Sequence, residues 1–145
     1  MALIIDLKPG EKILIGEAVI TNDSQRTRLH IAGTAPILRE KDVMHEEDAT
    51  SPCKIVYFLI QCMYISPKPD QYFEKYFAHI REIQSAAPTT TLFLASINEK
   101  ILQGHYYQAM KDARELIKYE EELINATRSS QGSLADSVAA QENQS

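Results

Sequence analysis

The spacing of apolar residues changes near residue 50 of this 145-residue chain, and that change limits the folds available to it. Before it, apolar residues form short runs that are separated by turn signals such as Pro9-Gly10 and Asn22-Asp23. After it, they recur at the spacing of amphipathic helices. Short strands followed by helices are typical of an α+β protein. We therefore expect a small antiparallel β module followed by a helical half.

Several segments of the first forty residues have the composition of strands. The clearest is Arg26–Ala32, in which polar and apolar side chains alternate strictly, so one face is cationic and the other apolar. Lys12–Asn22 is rich in Ile and Val, and Gly16 within it predicts a bulge or a close backbone approach. Ala2–Leu7 is a further strand, and Ile37–Glu40 is a short strand or the entry to a turn.

The second half of the chain contains signals for about four helices. Ser51 is a favourable N-cap and Pro52 is tolerated in a first turn, so a helix is expected to begin there. The apolar run Cys53–Tyr64 that follows predicts a helix buried on almost all sides. The other helices are expected at Gln71–Ala87, from Thr89–Thr91 to Gly104, and at about His105–Ala126.

Composition also suggests how the chain is divided and where it resides. From residue 127 onward Ser, Gln, Ala and Asn predominate, which predicts a disordered tail. The predicted organisation is a β module over 1–48, a helical region over 51–126 and a tail over 127–145.

The longest apolar run is interrupted by Gln61 and is too short for a bilayer, and the N-terminus lacks the cationic segment of a signal peptide. We therefore expect a soluble, cytoplasmic protein without a membrane segment.

No motif of the chain is typical of an enzyme. Phosphate-binding loops, dinucleotide-binding fingerprints, zinc-protease motifs and nucleophile elbows are all missing from the sequence. Cys53 and Cys62 lie in one apolar run, at a spacing that is not typical of a disulfide framework. We therefore interpret them as buried thiols. His45 and the three acidic residues after it lack a further ligand at a zinc-like spacing, so we interpret them as a solvated loop. We expect a protein that is not an enzyme and that has no metal and no cofactor.

The cationic strand is the strongest candidate for a binding site. The net charge of −5 excludes a basic surface over the whole protein for binding nucleic acid. A local basic surface is still compatible with it, because surface charges are screened beyond about 10 Å. Arg26, Arg28 and His30 recur every second residue, so their side chains are about 6.6 Å apart on one face. This spacing suits successive phosphates of an extended single strand of RNA. The alternative is a solvated sheet face that pairs with neighbouring acidic residues.

Part of the N-terminal segment resembles CsrA, a small all-β regulator that binds messenger RNA leaders. The resemblance rests on Leu3-Ile4-Ile5, the GEKILIG block at residues 10–16, the cationic strand, Ala35-Pro36 and Arg39-Glu40. It implies that Arg39 corresponds to an arginine that contacts RNA near a GGA loop. Where CsrA has two arginines before its first turn, this chain has Leu7 and Lys8, so one cation is kept.

A longer set of blocks, over roughly residues 1–125, is similar to the FlbT family of flagellin regulators. The blocks are LKPGEKILIG, RTRLHI, ILREKD, the apolar run from Pro52 to Pro67 and the helical half. The resemblance implies post-transcriptional control of flagellin through the 5′ untranslated leader of its messenger RNA, by decay or by altered translation, together with FlaF.

Two functional hypotheses follow. In the first, the chain binds the flagellin leader through its cationic side chains, which are Lys8, Arg26, Arg28, His30, Arg39 and Lys41. In the second, it is a protein-interaction adaptor or a chaperone-like partner of FlaF or flagellin, docks through its helical half and affects RNA only indirectly. The edges of so small a sheet, and the interlaced strands of CsrA-like modules, also predict a homodimer.

Overall fold

The computed structural model describes the backbone of residues 2–143 and the side chains of residues 3–129. In this part of the chain, five strands come first: β1 (Ala2–Leu7), β2 (Lys12–Ile15), β3 (Ala18–Thr21), β4 (Thr27–Ala32) and β5 (Ile37–Arg39). Four α-helices follow: α1 (Pro52–Ile65), α2 (Phe73–Ala86), α3 (Thr91–Leu102) and α4 (Tyr106–Asn143). This order confirms the predicted α+β class.

The β module consists of a two-stranded ribbon and a three-stranded sheet, both antiparallel. β1 pairs with β4 in the ribbon, and β2 lies between β3 and β5 in the sheet. The apolar side chains that pack between ribbon and sheet are Ile5, Leu7, Ile13, Ile15, Leu29, Ile31 and Ile37. Because side chains alternate along a strand, Ile4 and Asp6 of β1 and Arg28 and His30 of β4 lie on the outer face of the ribbon.

Gly16 does not form a bulge inside one long strand, as the sequence suggested. It lies in the Gly16-Glu17 turn of a hairpin, and Ile15 of β2 faces Ala18 of β3 across that turn. Its φ of +59° is the left-handed conformation that tight hairpin turns require and that glycine adopts without steric cost. The residues on both sides of the turn are equally apolar, so composition did not mark the reversal.

Helix α1 is the centre of the helical half. Its first turn is capped as predicted, because the Ser51 side chain accepts a hydrogen bond of 3.2 Å from the Lys54 backbone N–H and Pro52 is the first helical residue. The prediction of a largely buried helix is also confirmed. Its buried side chains are Cys53, Val56, Tyr57, Leu59, Ile60, Gln61 and Met63, and they pack against residues of α2, α3 and α4.

The β module is held to α1 by packing and by hydrogen bonds. Leu38 of β5 is buried within the helical core. The Gln61 amide donates to the Met44 carbonyl oxygen at 2.9 Å and accepts from the Met44 N–H at 2.7 Å. The Tyr57 hydroxyl donates to the Asp42 carbonyl oxygen at 2.6 Å. The loop after β5 is therefore fixed to the helices, and the predicted boundary between residues 48 and 51 stays a prediction.

Helix α4 continues past residue 126, where the sequence predicted its end, to Asn143. The expected disordered tail over 127–145 lies mostly outside the residues whose side chains are described, and it stays a prediction. None of the described helices combines the length and the apolar surface that a bilayer-spanning segment needs.

Candidate nucleic-acid interface

The outer face of the β1–β4 ribbon carries the cationic side chains predicted from the alternation of β4. Arg28 and His30 are exposed, whereas Leu29 and Ile31 are half-buried against the sheet. Arg26, which immediately precedes β4, is exposed as well. The two-residue periodicity therefore separates a polar outer face from an apolar inner face, as predicted.

Residues of β1 complete this face. Asp6 lies directly opposite Arg28 and Ile4 lies directly opposite His30. Cross-strand partners in a sheet share a face, so Ile4 and Asp6 are on the cationic side. Ile4 is 56% exposed and provides an apolar surface next to the His30 ring.

Arg28 and Asp6 form an ion pair at the surface. Arg28 Nε donates to Asp6 Oδ1 at 2.9 Å, and the two side chains are 64% and 54% exposed. The hydrogen bond from Arg28, followed by the charges of Arg28, Arg26 and Arg39, lowers the pKa of the Asp6 carboxyl. The same hydrogen bond raises the pKa of Arg28. Both groups are therefore charged at neutral pH.

Arg39, at the end of β5, also contacts Asp6. Its Nη2 donates to the Asp6 carbonyl oxygen at 3.0 Å and lies 3.5 Å from Glu11 Oε1. Its side chain is 43% exposed, so the guanidinium is only partly enclosed. We call the three arginines around Asp6, namely Arg26, Arg28 and Arg39, the arginine cluster. With Asp6 and Glu11 included, the charge of this region is about +1 at neutral pH.

The two predicted lysines lie at the edges of the module. Lys8 directly follows β1 and is exposed, and its carbonyl oxygen accepts from the Asn22 side chain at 2.9 Å. Lys41 is exposed in a short 3₁₀ helix, Glu40–Asp42. Neither lysine is among the cations that shift the pKa of Asp6. Hydrogen bonds to Asp6 link Arg28 and Arg39, and neither lysine side chain takes part in that network among residues 3–129.

Two residues of this region were not predicted. Asp6 is the acidic centre of the arginine cluster, and the only sequence signal for it is a charge within an apolar strand. Asn22 binds the strand ends together, since its side-chain amide donates to the carbonyl oxygens of Leu7, Lys8 and Gln25 at 2.8 to 3.1 Å. It thus orders the loop that leads to Arg26.

Metal-ligating side chains and reactive thiols were the other candidate sites in this chain. The part of the chain that the structure describes contains no group of three His, Cys, Asp or Glu side chains placed to hold a metal ion. Both cysteines are free, and burial raises the pKa of each thiol, most strongly that of Cys53. A raised pKa disfavours the thiolate that a nucleophile requires.

A second surface feature is an apolar groove between the sheet and α1. Its volume is about 430 Å³, and Phe58 of α1 lines it together with Leu14, Val19, Val43 and Met44. Lys12, Glu40 and Glu46 also line it. The adaptor hypothesis used the apolar side chains of α1 and α2 for docking. Apart from Phe58, most of these side chains are buried in the core.

Comparisons with known proteins agree on one family. The family model described as "Flagellar protein FlbT" matches residues 3–124. A Bradyrhizobium diazoefficiens protein named probable flagellum biosynthesis repressor protein FlbT 1 is 49% identical over 124 residues, which is 85% of each chain. A Rhodopseudomonas palustris protein named probable flagellum biosynthesis repressor protein FlbT is 42% identical over 125 residues, 86% of this chain and 99% of that protein. The flagellum biosynthesis repressor protein FlbT of Caulobacter vibrioides is 31% identical over 127 residues, 86% and 90% of the two chains. No solved structure matches this chain.

Proposed function

The chain belongs to the FlbT family, and on this premise we propose that it is a non-enzymatic regulator of flagellum assembly that binds the 5′ untranslated leader of flagellin messenger RNA. The names of its relatives, flagellum biosynthesis repressors, support the regulatory role. The resemblance of its sequence blocks to FlbT and CsrA points to the RNA leader as the target.

The observation that carries the proposal is the arginine cluster, which combines Arg28 on the exposed face of the ribbon with Arg26 before β4 and Arg39 at the end of β5. Arg28 uses only Nε for Asp6, and no acceptor among residues 3–129 engages its terminal nitrogens. These nitrogens can make the first contact with a phosphate group, which also gains Nε of the planar guanidinium when it replaces Asp6. A strand of RNA laid along β4 therefore meets Arg26, Arg28 and His30 at about 6.6 Å intervals. The imidazole of His30 and the side chain of Ile4 offer a base a stacking and apolar contact.

The mechanism is occupancy of the leader rather than catalysis. Phosphate contacts hold the strand in place, and contacts with base edges give any preference for sequence. The bound leader is then shielded from, or exposed to, ribosomes and nucleases. Such binding takes place in the cytoplasm, where messenger RNA is translated.

The test is fluorescence anisotropy of a labelled flagellin leader at constant salt. We expect Arg28→Ala with Arg39→Ala to weaken binding by about tenfold or more, as is usual when arginine contacts to nucleic acid are removed. The matched control is Arg81→Ala with Lys118→Ala, which removes two exposed cations from the helical half. Equal affinities for the parent and both double variants, all shown by circular dichroism to be folded, contradict the proposed interface.

A second candidate function is a protein-interaction adaptor or chaperone-like partner of FlaF or flagellin. The apolar groove between the sheet and α1 favours it, because exposed apolar surfaces of this kind accommodate partner side chains. The discriminating experiment is a pull-down with and without RNase. Retention of the partner after RNase, together with no leader binding by the purified protein, supports the adaptor.

We also propose that the protein is a homodimer. Within residues 2–143, the ribbon strands β1 and β4 each pair with one strand only, and β3 and β5 are edges of the sheet. Leu3 and Ile20, on the apolar side of the module, are 46% and 39% exposed. Open edges and exposed apolar residues favour pairing with a second copy. Light scattering that gives the monomer mass of 16.4 kDa at micromolar concentration contradicts this proposal.

A further inference from the structure

Asp6 contacts two arginines of the cluster, one through its carboxylate and one through its backbone carbonyl oxygen. Asp6 faces Arg28 directly in the ribbon and accepts its hydrogen bond at 2.9 Å. Arg39 donates to the carbonyl oxygen of the same residue at 3.0 Å. The charge of Arg26 acts on the same carboxylate. The Asp6 carboxylate therefore occupies the position at which Arg28 would hold an anion.

The Asp6 side chain contributes little to the stability of the fold. More than half of its side chain is exposed, and an exposed ion pair contributes little to stability. The ribbon is already held by the six paired positions of β1 and β4 and by the buried side chains of Ile5 and Leu7. Asp6 is therefore free to serve another role.

We propose that Asp6 is an internal competitor for phosphate that sets how many phosphates a ligand must present before the arginine cluster binds it. This inference rests on the RNA-binding function proposed above. Carboxylate and phosphate oxygens present similar acceptors to a guanidinium. Asp6 is fixed opposite Arg28, and a tethered group has an effective concentration of about millimolar or more.

The consequence is selectivity for extended polymers. A mononucleotide brings one phosphate to the cluster and has to displace Asp6 with that contact alone. A strand of RNA that also touches Arg26 and His30 keeps those contacts while one of its phosphates replaces Asp6 at Arg28. Asp6 therefore rejects free nucleotides and permits long single strands.

The first test compares leader binding by Asp6→Asn with the parent at equal salt. We expect about fivefold tighter binding, which is the factor for one unit-charge contact at about 4 Å in water. The matched control is Glu17→Gln, which changes the net charge equally at the exposed turn between β2 and β3. We expect it to bind within twofold of the parent. The gain in Asp6→Asn should vanish when Arg28→Ala is added.

The second test uses inorganic pyrophosphate and does not depend on RNA. The Arg28 Nε–H resonance is followed by NMR during titration of each variant. We expect it to respond at a severalfold lower concentration in Asp6→Asn than in the parent or in Glu17→Gln.

The outcomes separate this inference from the function on which it rests. If Asp6→Asn and Glu17→Gln strengthen leader binding equally, the effect is one of net charge and the competitor role is overturned, although loss of binding in Arg28→Ala still supports the interface. If no variant binds the leader, the proposed function fails and the titration decides the role of Asp6. An unchanged Arg28 response in Asp6→Asn then overturns it, and a response at lower concentration supports it.

Discussion

Two arginine–aspartate pairs in this protein have the same chemistry and different surroundings. Arg28 and Asp6 pair on the outer face of the ribbon, where more than half of each side chain is exposed. Arg114 of α4 and Asp42, after β5, pair at the junction of the β module and the helices, where the Asp42 side chain is only 9% exposed. Arg114 also donates to the Tyr57 hydroxyl at 3.1 Å.

The difference between the pairs shows that burial decides whether an ion pair can exchange its partner. Asp42 has lost most of its water, so it depends on Arg114 for compensation of its charge. Asp6 and Arg28 remain hydrated, so each can leave the other for a different ion at little cost. The buried pair therefore connects two parts of the fold, whereas the exposed pair is available to a ligand.

The largest effect that this comparison predicts is on stability. Arg114→Ala leaves Asp42 buried and unpaired, so we expect the free energy of unfolding to fall by about 2 kcal/mol, less than for a fully buried pair because Arg114 is 38% exposed. Urea denaturation followed by circular dichroism measures this change. Arg28→Ala is the control and should leave the unfolding free energy unchanged within error. Similar losses in both variants contradict the distinction between the pairs.

A second effect concerns alkaline pH. Burial raises the pKa of Tyr76, whose hydroxyl donates to Asn98 Oδ1 at 2.6 Å, well above its ordinary value of 10.0. The folded chain therefore retains this proton when the unfolded chain has lost it. Its contribution to stability is complete below pH 10 and is lost as pH rises toward the folded pKa.

The measurement is urea unfolding of the parent and of Tyr76→Phe at pH 8 and pH 11. The parent should lose about 1.4 kcal/mol more than the variant between these values, because pH 11 is about one unit above the pKa of an unfolded tyrosine. An equal loss in both proteins shows that Tyr76 is not the group responsible. Because Tyr76→Phe removes only the hydroxyl group, the difference between the two proteins reports on Tyr76.

The sequence predicted those features that depend on local spacing. The alternation of β4 identified Arg28 and His30 as surface residues, and Ser51-Pro52 identified the start of α1, because both signals lie within a few residues. The Gly16-Glu17 hairpin was missed, since similar apolar residues flank the turn. Asp6 was missed because its partner Arg28 lies 22 positions away, and strand pairing cannot be read from either segment alone.

A third effect is the salt dependence of leader binding. Each phosphate contact on a single strand contributes about 0.7 to the slope of log affinity against log salt. Arg28→Ala should reduce the slope by about that amount. Arg114→Ala, measured at a temperature at which it is folded, should leave the slope unchanged, because the Arg114 guanidinium of the parent is paired with Asp42. Equal slopes for all three proteins show that Arg28 does not contact phosphate.

The smallest effect is expected at Lys41, which belonged to the predicted site but is not among the cations that act on Asp6. It directly follows Glu40, whose carboxylate offsets part of its positive charge. We expect Lys41→Ala to change leader affinity less than twofold, whereas Arg26→Ala, with the same change of charge, weakens it severalfold. Fluorescence anisotropy compares the two variants at equal salt. If both weaken binding equally, the interface extends onto the loop that Arg114 holds in place, and the division between a structural pair and a ligand-binding pair no longer stands.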